Sequence, residues 1–536
     1  TNLLALTSTK YVITRDNVVK TKSFYTSERF DFSSSRFKKL LNFSENFGAV
    51  QGFGDYTIYK NKNFKEHVFG VEKPVLAIGD RQLLTSSYVP GLDDSNNALV
   101  FASQLSDIED FEIFDTIIIN SGLEDLQFIL LNDEYKVNAY DYAKNITTGE
   151  DPKASVQFLW LRSDIYEYVT GGIFGNGAMP YGDGYALTEG QAQLDLPYVC
   201  TKPGEYELWL RVLCAPNRGK MTVSIDDNTV VNRFSSESPY FRGFKWTRLE
   251  GSVELAEGKH TVSVVNFGGQ NAIDQIALVP KSIIPSLEDR ARKIVTDKKL
   301  IYLYEVERVV ESGLLEASHN EDIKMVGLNN ASGSEALTLT GTITFQLEVP
   351  LDAEYGVFIR AKSGGKGGIL VRIDNNSREI ALQKDFEWHK LESVKLSKGK
   401  HDIAITGEAT VDLIGLSLAN NRKVANWPTN NQNAVLLDFK RVNPTKYVVQ
   451  YESMEPFLMI LNESYHPLWR AYVDEKEIES IPTNSYANGF YIKTPLKGEA
   501  VIEFVEQRYI NMAFWISGGT FCGIMGLMLF LKVRRT

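Results

Sequence analysis

Apolar and polar positions alternate with a period of two through most of this chain. The runs are short and broken by Gly, Pro, Asn and Asp, a pattern that predicts strands with one buried face. In "GEYELWLRV" (204–212), Tyr206, Leu208 and Leu210 share such a face. Three blocks of this kind occur twice in the same order. "GEYELWLRV" matches "AEYGVFIRA" (353–361), "GKMTVSIDDN" (219–228) matches "GGILVRIDNN" (367–376), and "FKWTRLEGSVELAEGKH" (244–260) matches "FEWHKLESVKLSKGKH" (386–401). A repeat this long is a whole domain, too long for a solenoid turn. Residues 151–285 and 296–420 therefore read as two copies of one β-sandwich, each with about eight short strands.

The pattern differs elsewhere. Residues 1–72 predict an N-terminal β-rich segment with strands such as "KYVITRD" and "GDYTIYKN". Residues 73–150 alternate unbroken apolar runs, "KPVLAIGD", "NALVFAS" and "FDTIIIN", with helical stretches. This predicts parallel strands covered on both faces, in a small α/β (Rossmann-like) domain of three strands. Gly79-Asp80 closes the first strand, but no glycine-rich phosphate loop follows, and a helix-entry turn capped by Asp80 is the simpler reading. Residues 286–420 hold a charged helical connector, from "PKSIIPSLEDRARKIVTDKK", and the second copy. Residues 421–507 predict a membrane-proximal β-sandwich.

Residues 508–536 break every strand rule. "YINMAFWISGGTFCGIMGLMLFL" (509–531) is 23 residues without a charge, and "KVRR" follows. At about 1.5 Å per residue such a helix spans a hydrocarbon core of roughly 30 Å. The basic cluster places the short tail in the cytoplasm and residues 1–508 outside, in a cell-membrane protein with a C-terminal anchor. "SGGTFCG" offers small residues to a partner helix. Translocation needs a signal, so a signal peptide or a larger membrane region is expected upstream of Thr1. The fold class expected is mainly β: several β-sandwich (jelly-roll-like) domains, a small α/β domain and one C-terminal transmembrane helix.

Composition removes several functions. Net charge is −11, and no basic cluster lies outside the extreme C-terminus, which argues against nucleic acid as a partner. His67, His260, His319, His389, His401 and His466 show no metal-ligand spacing, and Cys-x-x-Cys is absent. Cys200 and Cys214 could pair only if the turn near Pro203-Gly204 departs from a simple hairpin, which would set Cys200 opposite about position 207. G-x-S-x-G, H-E-x-x-H and the P-loop are missing, so no residue is assigned catalysis. Sequons stand at Asn42, Asn145, Asn330, Asn375 and Asn462.

The repeated block, with its Trp, "GKH" and a late "ID" or "VD" before apolar alternation, resembles jelly-roll carbohydrate-binding modules of the calcium-containing type. That resemblance implies a structural Ca²⁺ in the second copy, held by Glu305 and Glu307 of "IYLYEVERV" and by Asp412 of "TVDLIGLSL". In the first copy Trp160 and Arg162 replace the acids, and an Arg162–Asp274 ion pair could fill the corner. Trp246 and Trp388 could be sugar platforms, but their alternation with Leu249/Val253 and Leu391/Val394 favours core packing. The loop aromatics Tyr181, Tyr185, Tyr240 and Phe241 are the expected glycan contacts.

"LNESYHPLWRAYVDEKEI" with "NGFYI" (Tyr465, Pro467, Trp469, Val473, Asp474, Asn488, Gly489) resembles the membrane-proximal sandwich of polytopic GT-C-type glycosyltransferases acting on lipid-linked sugars. "LLALTSTKYVIT" and "DYTIYKNKNF" resemble the segment that follows their multi-pass region. The resemblance implies that catalytic carboxylates lie upstream of Thr1, and that this chain positions glycan or lipid-linked sugar. Two alternatives stay open: a single-pass envelope or adhesion protein, and an accessory subunit docked on other membrane subunits through its helix.

Overall fold

In the computed structural model strands β1 (Val75–Ile78), β2 (Leu99–Phe101) and β3 (Thr116–Ile119) pair in parallel in the order β2-β1-β3. They are buried because an unbroken Val/Leu/Ile run has no polar face to give to water. The structure describes residues 11–15, 47–53, 56–61, 66–142 with gaps chiefly between 80 and 97, 147–148 and 157–160. It further describes 184–418 with gaps chiefly in 307–322, and 435–533 with short gaps. The chain divides into two compact units, residues 1–65 with 73–432 and residues 66–72 with 433–536.

In the first unit, Tyr11–Arg15, Tyr56–Asn61 and Phe47–Phe53 form a three-stranded antiparallel sheet, as the N-terminal pattern predicts. After β3 come helix α1 (Glu124–Ile129) and strand β4 (Lys136–Asn138). The first copy follows as β5 (Gly184–Cys200), β6 (Gly204–Cys214), β7 (Lys220–Ile225), β8 (Asn228–Ser235), β9 (Gly243–Arg248), β10 (Val253–Leu255) and β11 (Gly258–Pro280). Helix α2 (Ile284–Asp297) is the expected connector and buries Ile284, Leu287, Ala291 and Val295 along one stripe.

The second copy runs through β12 (Lys299–Glu305), β13 (Glu335–Leu339), β14 (Thr342–Val349), β15 (Ala353–Ser363), β16 (Gly368–Ile373) and β17 (Asn376–Ala381). It closes with β18 (Glu387–Lys390), β19 (Val394–Leu396), β20 (Gly399–Gly407) and β21 (Ala409–Leu418).

The ladders of the two copies correspond. β6 pairs with β9, β10 and the end of β11, as β15 pairs with β18, β19 and β21. β7 pairs with β8 and the start of β11, as β16 pairs with β17 and β20. In the first copy the long strands β5 and β11 pair along their lengths; in the second the same path is split into β13/β14 and β20/β21.

Three expectations need correction. β5 and β6 do not form a hairpin: Cys200 lies opposite Gly258, Glu207 lies opposite Val279, and both cysteines are free, buried thiols. The α/β stretch is not a separate sheet. β12 adds in parallel to β3 because "LIYL" is buried on both faces, and β4 adds to β11, so the stretch is built into both copies. The N-terminal segment does not run intact to residue 72, since Val68–Val71 pairs with Phe457–Leu461 in the second unit.

The second unit is a sandwich of a five-stranded and a four-stranded sheet around one core that includes Tyr447, Phe457, Trp469 and Phe490. Its strand Trp469–Val473 turns through Asp474 and Glu475, both at positive φ (48° and 65°), in a two-residue hairpin. The last strand, Leu496–Phe504, leads through Val505 into helix α3 (Glu506–Val533). Among the described residues no helix is long and apolar enough to cross a membrane. In α3 the side chains of Glu506 and Gln507 and those from Met512 to Leu527 are described; the latter are all exposed, and Phe514 and Trp515 are the most open of its large apolar side chains.

Candidate functional site

The repeated block builds the same side-chain clusters twice. Arg211 of β6 and Arg360 of β15 each meet a buried aspartate, Asp274 and Asp412 respectively. In each copy the ladder slips by one residue there, between Arg211 and Val212 or Arg360 and Ala361. The slip leaves the aspartate unpaired in register and turned toward the guanidinium. The repeated phenylalanine lies against the same cation, Phe244 at 5.6 Å from Arg211 and Phe386 at 4.9 Å from Arg360. Tyr206 and Tyr355 donate to the carbonyls of Lys202 (2.6 Å) and Leu351 (2.9 Å), and Ser252 and Ser393 donate to Glu205 and Glu354. These are internal braces, and they account for much of why the sequence repeats.

The calcium expectation meets this geometry at Asp412. Arg360 donates to Oδ2, and Ser332 donates to Oδ1 through its N–H (2.9 Å) and its hydroxyl (2.6 Å). Burial pushes the Asp412 carboxyl above its ordinary range, with Arg360 and Ser332 pulling the other way. A guanidinium already stands where a cation would sit, so Asp412 does not fit a Ca²⁺ ligand. The side chains of Glu305 and Glu307 lie outside the described residues. Among the described residues no group of three His, Cys, Asp or Glu side chains could hold a metal. Asp274 pairs with Arg211; Arg162, the partner expected from sequence, lies outside the described residues.

Of the expected glycan contacts, Tyr185 is a correction. It lies in strand β5, is fully buried beside Phe244, and burial pushes its phenol upward. Tyr181, Tyr240 and Phe241 lie outside the described residues. Neither repeated tryptophan is an open platform. Trp246 is buried and stacked on Phe128 of α1; Trp388 is half-buried against the cluster of Val75, Ala77, Leu83 and Leu99. The same position in each copy thus grips the α/β stretch. Among the sequons, Asn375 sits in an exposed turn, whereas Asn462 is buried and so a poor acceptor; Asn42, Asn145 and Asn330 lie outside the described residues.

In the second unit the motif residues shape the end from which α3 leaves. Fully buried Asn488 accepts from the His466 N–H (3.0 Å) and donates to the carbonyls of Glu463 (2.9 Å) and Ser464 (3.3 Å). Gly489 is required by close approach, because a Cβ there would stand 2.3 Å from Thr483 Oγ1. Beside this loop His67, Tyr447 and Glu463 converge: His67 Nε2 is 3.1 Å from both Tyr447 Oη and Glu463 Oε1, and Tyr447 donates to the same carboxylate at 3.1 Å. The His67 hydrogen bond is the main cause holding Glu463 below the usual carboxylate range, against the opposing effect of burial. Burial, reinforced by Glu463, pushes the Tyr447 phenol up to about 12. Sequence reasoning missed this trio, whose members come from chain segments almost 400 residues apart. No local pattern in the sequence signals it, because the strand after His67 reaches this loop only by pairing with a remote strand.

Fold and clusters together define a mainly β chain: a duplicated β domain joined through an α/β stretch, and a separate sandwich that ends in an exposed apolar helix. No family model and no curated protein matches the chain. Among solved structures it is similar to the arabinofuranosyltransferase AftD from mycobacteria, at 10% identity and a TM-score of 0.38 for a mutant form, covering 95% of this chain and 57% of that one. A second AftD structure aligns at 8% identity and a TM-score of 0.34, over 95% and 56%. A Podospora anserina GH26-CBM35 β-(1,4)-mannanase is similar over 22% of this chain and 27% of its own, at 20% identity and a TM-score of 0.16. The chain spans little more than half the length of the AftD chains, and likenesses this faint carry no argument about activity.

Proposed function

We propose that this chain is the extracytoplasmic, membrane-tethered region of a glycosyltransferase-like membrane protein, and that its two copies position a polymeric or lipid-linked glycan. The observation that carries the tethering is the join at Phe504–Glu506. One residue separates the last strand of a sandwich from a helix that carries no charge and is exposed on every side from Met512 to Leu527. A helix that is apolar all round needs lipid or protein around it. The glycosyltransferase part rests on the motif residues around Trp469 and Asn488, which build the helix-proximal end of that sandwich. Glycan contact is assigned to Tyr240, Phe241 and Tyr181, without Tyr185. No residue is assigned catalysis.

Two weak sites on one chain can raise apparent affinity by roughly 10²–10⁴ without any new contact. The detergent-solubilised full chain, screened on the host's own envelope glycans, should bind, and Tyr240→Ala with Phe241→Ala should weaken binding at unchanged melting temperature. No binding to any host glycan would overturn the reading.

A second reading, a rigid envelope spacer, is favoured by one observation: Trp246, Trp388 and Tyr185 all face protein. It is the reading left standing by a negative glycan screen.

A further inference from the structure

The "GKH" histidines are held in one unusual way in both copies. His260 Nδ1 lies 2.5 Å from Asp226 Oδ2, and its Nε2 lies 2.8 Å from the Ala256 carbonyl oxygen. His401 repeats this, with Nδ1 2.7 Å from Asp374 Oδ2 and Nε2 2.7 Å from the Ser397 carbonyl oxygen. The same aspartates accept a backbone N–H on their other oxygen, from Thr261 at 2.9 Å and Asp402 at 3.1 Å. Each ring thus bridges two turns, β7–β8 (or β16–β17) and β10–β11 (or β19–β20). The aspartate sits at positive φ in its turn, 47° for Asp226 and 48° for Asp374, which fixes where its carboxylate points.

A neutral imidazole carries one N–H and one lone pair. Here both ring nitrogens face oxygen atoms that can only accept, so a neutral ring would set a lone pair against an oxygen. The imidazolium satisfies both contacts. The histidine side chains are 11% and 9% exposed, leaving little room for water to substitute.

We propose that His260 and His401 are held as imidazolium cations and act as paired proton-dependent latches, one per copy, each locking two turns at one end of its domain. Other ionisable residues on the packed elements are Asp227, Glu257, Lys259 and Tyr198 around His260. Around His401 they are Asp402, Lys398, Lys400, Glu348 and Asp352. None of these makes either of the two ring contacts.

The shifts agree in direction. His260 is raised first by the Ala256 carbonyl and then by Asp226; for His401 burial, the largest single effect, pulls downward, but the Ser397 carbonyl, Asp374 and Asp402 together raise it. A raised native value contributes stability fully below the unfolded histidine value of about 6.5 and loses it as pH rises through the native value. While the two aspartates are ionised, the latch is closed below the ordinary histidine value and opens as pH rises through the native histidine values.

The test is a pH titration of the full chain labelled with [¹³Cε1]-histidine, the two signals being assigned with His260→Gln and His401→Gln. Both midpoints should lie above about 6.5. Asp226→Asn should lower the His260 midpoint alone, and Asp374→Asn that of His401 alone. Exchange of the Thr261 and Asp402 amides should accelerate several-fold above the midpoints. If a glutamine variant does not fold, the aspartate variants still assign the signals. Midpoints at or below the ordinary value, or midpoints indifferent to the aspartates, would overturn the latch. Glycan binding enters none of these readouts, so the latch and the proposed function fail independently.

Discussion

Asp274 and Asp412 are wholly buried, and each is compensated by a guanidinium inside the sandwich rather than by solvent. Removing one member of such a pair strands a buried charge and typically costs about 3–5 kcal/mol, whereas replacing both can be nearly neutral. Arg360→Met should therefore destabilise the first unit by that amount in denaturant melts, and adding Asp412→Asn, which removes the charge but keeps an acceptor for Ser332, should recover part of it. Equal losses in single and double variants would mean that packing, not charge, is what the pair supplies. Glu463 gives a pH signature of its own. Its carboxyl is held low, first by His67, so its contribution is present above the unfolded value of about 4.3 and is lost as pH falls through the native value. Melting temperatures of the native chain should fall more steeply in acid than those of Glu463→Gln, and parallel curves would dismiss the trio as a stabilising contact.

At the scale of elements, the duplicated strand carrying Trp246 and Trp388 is a docking edge for the α/β stretch. Trp246 is buried against Phe128, so Trp246→Ala should cost about 3–5 kcal/mol, while Trp388→Ala should cost less because that ring is half-buried. Comparable losses at the two sites in calorimetry would contradict this asymmetry. Gly219, just before β7, lies against β11: a Cβ there would clash with the Gly268 carbonyl oxygen, which is backbone and cannot swing aside. Gly219→Ala should cost about 1–3 kcal/mol by overpacking and lower the melting temperature of the first copy.

For the whole molecule, the reading turns on α3. If its apolar surface lies in a bilayer with Lys532 to Arg535 in the cytoplasm, protease added to intact cells should remove residues 1–508 and leave a membrane stub of a few kilodaltons. Protection of the entire chain would overturn the topology. Within the first unit, the α/β stretch gives β1–β3 to the sheet of the second copy and β4 to the sheet of the first, so it contributes strands to both duplicated domains.

Local pattern was enough for much of this. Alternation marked most strands, the repeat implied two matching ladders, unbroken apolar runs marked the parallel strands, and an amphipathic stripe marked α2, because side-chain periodicity is set by backbone geometry within a few residues. Tertiary structure alone decided which strands share a sheet: "LIYLY" joining β3, and Val68–Val71 crossing to a strand almost 400 residues later. It alone decided that Arg211 meets Asp274, that Tyr185 faces the core, and that the repeated His, Arg, Phe and Asp brace the fold. Those pairings depend on bulges, turn geometry and long-range register. A linear pattern carries none of these, since it records which residues want burial but not which partner will bury them.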